Sequence, residues 1–229
     1  HKHYDIRLIV TQPDGFGGRN RKKRIVPAAK TFADEHGIDV IQPETLKDDA
    51  TIERIRQTEP VIGVVVSYGQ LIPKRVFRIP VHRTVNVHFS LLPAYRGAAP
   101  VQRAIADGLT TSGITIFEIV KKLDAGDIWA SMEMDIGPDE TTEIMWERMS
   151  RGSTDFLIET LDGIIEGKLV KTPQDHDNAT LAPVVCKNEG CIDWTLTAQE
   201  TYNRFRAFTP WPGLYCNTCD NRFRLTKIK

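Results

Sequence analysis

The chain has no cysteine before position 186, no long apolar run and no net charge. Each absence excludes something. The longest apolar run, residues 61–66, is interrupted by Gly63 and is strand-length. That is far short of the roughly 18 residues needed to span a bilayer, so no transmembrane helix and no membrane partner are expected. The opening residues His1-Lys2-His3-Tyr4-Asp5 hold no apolar core of the kind a secretory signal carries. Thiols confined to the end of the chain do not point to an oxidising compartment. Thirty basic residues against thirty acidic ones argue, at first sight, against a nucleic-acid partner. What is present, 41% hydrophobic and 26% charged residues in a chain of 229, is a globular composition. It suffices for one full domain, or one domain and part of a second.

Hydrophobic patterning supplies the elements. Residues 6–10 read as a strand, broken by the turn residues that follow. Residues 27–36 read as a helix with Ala28, Ala29, Phe32 and Ala33 on one face and Gly37 as its stop. Short strand, helix and strand follow at 39–41, 50–57 and 61–66. The last is apolar on both faces, which predicts a central parallel strand covered on both sides. Residues 84–88 are the next strand, and 100–107 a helix with proline in its first turn. Residues 114–120 and 128–134 predict a hairpin, and 141–166 a long helix that Gly152 breaks or bends. Residues 172–185 lack periodicity and read as a linker. Residues 197–208 then look helical, and 214–228 strand-like. This order predicts an α/β, doubly wound, Rossmann-like domain with a mixed sheet.

The four cysteines stand at 186, 191, 216 and 219. A structural zinc and four reduced thiols both fit that spacing. Cys216-Asn217-Thr218-Cys219 suits a tight zinc loop, whereas the longer 186–191 segment suits it less well. No metal is expected.

The densest chemistry lies at Asn86-Val87-His88-Phe89-Ser90-Leu91-Leu92-Pro93, followed by Tyr95-Arg96-Gly97-Ala98-Ala99-Pro100. Residues two apart on a strand face one side, so Asn86 and His88 point together at a carboxyl end, where open α/β sheets place ligands. Histidine can move protons near neutral pH, and an asparagine amide can donate to an oxyanion. A histidine satisfied at a strand end beside a capping asparagine has the same spacing, so the pair alone does not decide. Leu123-Asp124-Ala125-Gly126-Asp127 adds two acids around a glycine. It reads either as an ordinary turn or as a carboxylate held against an imidazole, raising the histidine pKa and fixing its tautomer.

In this order and spacing, these segments resemble the formyltetrahydrofolate-dependent formyltransferase family. The resemblance implies a catalytic trio at Asn86, His88 and Asp124. It implies a folate-binding segment at Ser90, Leu91, Leu92 and Pro93, and a pterin-lining loop with Tyr68, Gly69, Leu71 and Ile72. The formyl donor it implies is 10-formyltetrahydrofolate. Within the family, Thr11-Gln12-Pro13-Asp14, Gly190-Cys191-Ile192-Asp193-Trp194 and residues 206–213 resemble the subgroup that formylates initiator methionyl-tRNA. Other members, acting on an amino-sugar nucleotide or a purine precursor, would share the trio, as would a formyltetrahydrofolate hydrolase. A catalytically silent RNA-binding relative would not need it. The implied organisation is a catalytic domain over 1–171 lacking a first strand and helix, a linker over 172–185, and at 186–229 the start of an incomplete small OB-like β-barrel that binds tRNA. A monomer in the bacterial cytoplasm or an organellar matrix is expected.

The zero charge is an average. The first 24 residues carry seven basic and two acidic residues, and the last 47 carry seven and four. Residues 25–182 carry 16 basic and 24 acidic residues. Residues 15–24 hold Arg19, Arg21, Lys22, Lys23 and Arg24 with no acid. On charge alone this is a solvated loop; the resemblance makes it a contact for tRNA phosphates.

Overall fold

The computed structural model describes residues 3–17, 23–218 and 221–228, and divides the chain into compact units at 1–84 and 85–229. In the first unit, β1 (Ile9–Val10) pairs in parallel with β4 (Val40–Ile41). Between them lie an antiparallel hairpin of β2 (Gly15–Gly17) and β3 (Lys23–Ile25), and helix α1 (Ala28–His36). Gly37 ends α1 at φ 64°, a left-handed conformation that glycine adopts without a Cβ clash. Helix α2 (Asp49–Arg56) starts under an Asp48 cap, whose carboxylate accepts from the Thr51 amide at 2.9 Å. Strand β5 (Gly63–Val66) and helix α3 (Lys74–Phe77) complete the unit. The expected cover on both faces of β5 is not found: Val64 and Val66 are 41% and 53% exposed. An apolar run reports what a strand could bury; the described residues cover one face only.

The second unit is built on an antiparallel sheet of β6 (Thr84–His88), β8 (Thr111–Glu118) and β9 (Ile128–Asp135), β8 at its centre. Six consecutive residues of β8 are buried, because both of its faces are covered. Helix α5 (Thr142–Ile165) packs on β8 and β9 with Met145, Met149, Leu161 and Ile164 buried. Each such side chain contributes about 1.5–3 kcal/mol on burial. The helix runs through Gly152 without a break. A Cβ there would meet only the ends of the Met132 and Met134 side chains, at 3.5–3.9 Å.

Two short strands, β7 (Arg96–Gly97) and β10 (Leu181–Ala182), pair in parallel, with α4 (Pro100–Ala106) following β7. The stretch expected as a linker therefore carries a strand and, at Gln174, a buried side chain. Helix α6 (Ala198–Ala207) opens with a capping box between Thr197 and Glu200 and packs on α4. Its Arg206 is 4% exposed and donates to the carbonyls of Gly137 and Glu140, while Thr142 Oγ1 donates to the Ala207 carbonyl. These bonds place residues 186–207 in the same compact unit as the sheet. Strands β11 (Tyr215–Asn217) and β12 (Arg222–Arg224) form a hairpin, and no closed barrel occurs among the described residues. None of the described helices is long and apolar enough to cross a membrane.

Candidate active site

Strand β6 brings Asn86 and His88 to its carboxyl end, on the side opposite Val85 and Val87. Asn86 is half-buried and His88 is 6% exposed. The His88 Nε2 lies 2.9 Å from the carbonyl oxygen of Tyr95. A carbonyl can only accept, so Nε2 carries the hydrogen and the neutral ring leaves Nδ1 as its free base. That Nδ1 stands 3.9 Å from Asp124 Oδ2, too far for a direct hydrogen bond. The carboxylate was expected to fix the tautomer; the Tyr95 backbone does so instead. It was also expected to raise the histidine pKa. Burial lowers it below its ordinary value, outweighing the opposing pull of Asp124 and the Tyr95 carbonyl.

Asp124 sits on the turn between β8 and β9 with φ 46°, left-handed for a residue that has a Cβ. Its Oδ2 accepts the Gly97 amide at 2.8 Å. Gly126 is required two residues on, because a Cβ there would fall on the carbonyl oxygen of Glu118. The turn is tied from outside by Gln174, whose Nε2 donates to the carbonyls of Asp124 and Gly126. Left-handed backbone at a non-glycine residue recurs at Tyr95, and also at Glu59, Ser67 and Arg83.

The 90–97 loop is held by its own polar groups. Ser90 is fully buried, and its hydroxyl donates to the Ala94 carbonyl at 2.7 Å. Thr115 on β8 donates to the Ser90 carbonyl and accepts the Leu92 amide. The Ser90 hydroxyl thus shapes the loop. Leu92 is buried, Pro93 is half-buried, and Leu91 lies over Gly113, where a Cβ would press on it.

Tyr68, Gly69, Leu71 and Ile72 belong to the first unit. There the Tyr68 carbonyl accepts from Gln12 Nε2 at 2.5 Å, and Gly69 has φ 78°. The Tyr68 hydroxyl is buried without a hydrogen-bond partner among the described residues, and burial raises its pKa. Leu71 is 81% exposed. Of the basic loop, Arg19, Arg21 and Lys22 lie outside the described residues. Lys23 is exposed on β3, and Arg24 donates through Nε to Asp14 Oδ2 at 2.5 Å.

Near the C-terminus two sequence motifs meet. A Cβ on Gly190 would strike the carbonyl oxygen of Gly213, and the Ile192 amide donates to Tyr215 at 2.8 Å. Cys186, Cys191 and Cys216 are free thiols, and Cys219 lies outside the described residues. Among the described residues no three His, Cys, Asp or Glu side chains are grouped to hold a metal ion.

Three contributors escaped the sequence reading: Thr115, the Tyr95 carbonyl and Gln174. Thr115 sits in an apolar strand, where a lone threonine is unremarked. A carbonyl has no sequence signature, and Gln174 lies where no periodicity assigns a face.

The sequence pattern of the formyl transferase family matches residues 1–161, and that of its C-terminal domain matches residues 185–229. A methionyl-tRNA formyltransferase from a Sulfurihydrogenibium species is 41% identical over 228 residues, covering 99% of this chain and 73% of that protein. Among solved structures, a sugar N-formyltransferase from a Shewanella species has a TM-score of 0.70 at 18% identity, over 85% of this chain and 78% of that one. HypX from Aquifex aeolicus, in complex with tetrahydrofolic acid, has a TM-score of 0.67 at 17% identity, over 92% of this chain and 35% of that one. Both structures share the mixed α/β fold. With its sequence pattern matched over most of the chain and a relative at 41% identity, this protein belongs to the formyl transferase family.

Proposed function

We propose that the chain transfers a formyl group from 10-formyltetrahydrofolate to the α-amino group of initiator methionyl-tRNA, for translation initiation. It acts as a monomer in the bacterial cytoplasm or an organellar matrix. The observation that carries this is the end of β6: Asn86 and His88 share one face, and the His88 free base faces the Asp124 carboxylate at 3.9 Å. The relative at 41% identity bears the name of that activity.

The donor supplies the formyl carbon, and its nitrogen recovers a proton on leaving. The residues present fit it. In the second unit, Leu91 and Leu92 offer it an apolar wall. The amine attacks as a neutral group. His88 takes its proton at Nδ1, since Nε2 is committed to Tyr95. Burial keeps the ring neutral and ready to accept, and Asp124 stabilises the imidazolium that results. The Asn86 amide donates to the formyl oxygen as it gains charge. Arg19, Arg21, Lys22, Lys23 and Arg24 contact tRNA phosphates, and the β11–β12 hairpin belongs to a small OB-like barrel that binds the same RNA.

Incubation with labelled 10-formyltetrahydrofolate and either methionyl-tRNA or an amino-sugar nucleotide tests the reading. Label on methionyl-tRNA is expected; label on the sugar alone overturns the assignment. Filter binding with the five basic residues changed to alanine tests the RNA contact, which an unchanged affinity and salt slope would remove.

A further inference from the structure

Residues 172–182 carry no periodic pattern, yet they set one buried polar side chain against the Asp124 turn. Gln174 is 6% exposed. Its Nε2 donates to the carbonyl of Asp124 at 2.9 Å and of Gly126 at 2.7 Å. Its Oε1 accepts Nε of Arg96 at 3.1 Å and Nη2 at 2.6 Å. Both donors and both lone pairs of the amide are therefore used. The orientation is forced. A guanidinium only donates and a carbonyl only accepts, so an amide turned over would lose all four bonds.

Arg96 is itself held. It is 4% exposed, its Nη2 donates to His176 Nδ1 at 2.9 Å, and its backbone amide donates to Thr180 at 2.9 Å. The next residue, Gly97, gives its amide to the Asp124 carboxylate. Strand β7 thus grips the carboxylate directly, and grips the backbone behind it through Gln174. What Gln174 holds is a strained shape: left-handed backbone at Asp124, with two carbonyls turned toward one point. Without a double donor between them, those oxygens repel and the turn loses its reason to stay.

We propose that Gln174 is a positioning residue for formyl transfer: it clamps the backbone of the Asp124 turn, with Arg96 fixing its amide, and so sets where the Asp124 carboxylate stands relative to His88. This rests on the reading that Asp124 acts at the site.

The test compares the full chain with Gln174→Met, Gln174→Glu, Asp124→Asn and the Asp124→Asn/Gln174→Met double variant, each normalised to folded protein by circular dichroism. Glutamate keeps the length and the Arg96 partner but has no donor for the two carbonyls. Both Gln174 variants are expected to lose about 10- to 100-fold in kcat, with KM for methionyl-tRNA unchanged. Because the Asp124 charge helps His88 hold its proton, a loosened turn moves the acid limb of the kcat/KM profile to lower pH. The double variant is expected to be no slower than Asp124→Asn alone. A kcat and acid limb equal to the parent's, or losses that multiply in the double variant, overturn the proposal. Full activity in Asp124→Asn removes the reading beneath it instead, and the proposal with it. If neither Met nor Glu folds, Gln174→Asn, one methylene short of the carbonyls, is expected to show the same losses; parental activity there overturns the assignment.

Discussion

The 15–25 hairpin and the Asp124 turn both carry charged side chains on short connections, and they hold them in opposite ways. The hairpin's described residues, 15–17 and 23–25, are nearly all exposed, and their ion pair joins Arg24, 67% exposed, to the half-buried Asp14. At the turn Ala125 and Gly126 are buried, and the Asp124 carboxylate is placed by a backbone amide while a neutral amide holds the chain behind it. Water and salt weaken the first kind of contact and scarcely reach the second. A surface meant for a large polyanion gains from groups that can rearrange. A reacting centre needs groups that cannot.

The largest effect expected from breaking the buried side is His88→Ala, a loss of about 10²–10⁴ in kcat with tRNA affinity retained. Steady-state kinetics beside filter binding check it, and near-parental turnover would take His88 out of the scheme. Next comes Gly126→Ala, whose methyl falls on the Glu118 carbonyl. It should cost about 1–3 kcal/mol in urea unfolding, with the turn displaced.

A smaller effect is set by pH. The folded His88 pKa is depressed below 6.5, so the unfolded chain takes up the proton first. Its contribution to stability is present above pH 6.5 and is lost as pH falls toward the depressed value, at no more than about 1.4 kcal/mol per pH unit. Melting curves between pH 7.5 and 5 should show this fall in the parent and a shallower one in His88→Ala; equal slopes contradict it. The smallest effect belongs to the hairpin. Lys23→Ala should leave stability within about 0.5 kcal/mol and lower the salt slope of tRNA binding by about one. A large loss of stability there would erase the contrast between the two regions.

Much of this was legible in residues. Strand β6 has the bounds expected for it, 84–88, and α5 lies within the expected 141–166. The resemblance names Asn86, His88 and Asp124; their spacing alone leaves the strand-end pair and the Asp124 turn open. The tautomer could not be read, since it depends on a carbonyl that a left-handed turn at Tyr95 brings back to the ring. Gln174 was hidden for a related reason: its partners are two backbone oxygens and a guanidinium 78 residues away. The bracing bond of Ser90 was hidden because a serine beside a ligand segment and a serine bracing that segment look alike in sequence.

The Tyr95 carbonyl has a further bearing on how this site can change over generations. The proton on His88 is assigned by the path of the main chain, and a carbonyl cannot be deleted by replacing a side chain. Residue 95 can vary wherever its substitute tolerates the left-handed backbone. The tyrosine ring is then free to be shaped by other demands, such as its bond to Asp107, while the histidine keeps its basic nitrogen in place.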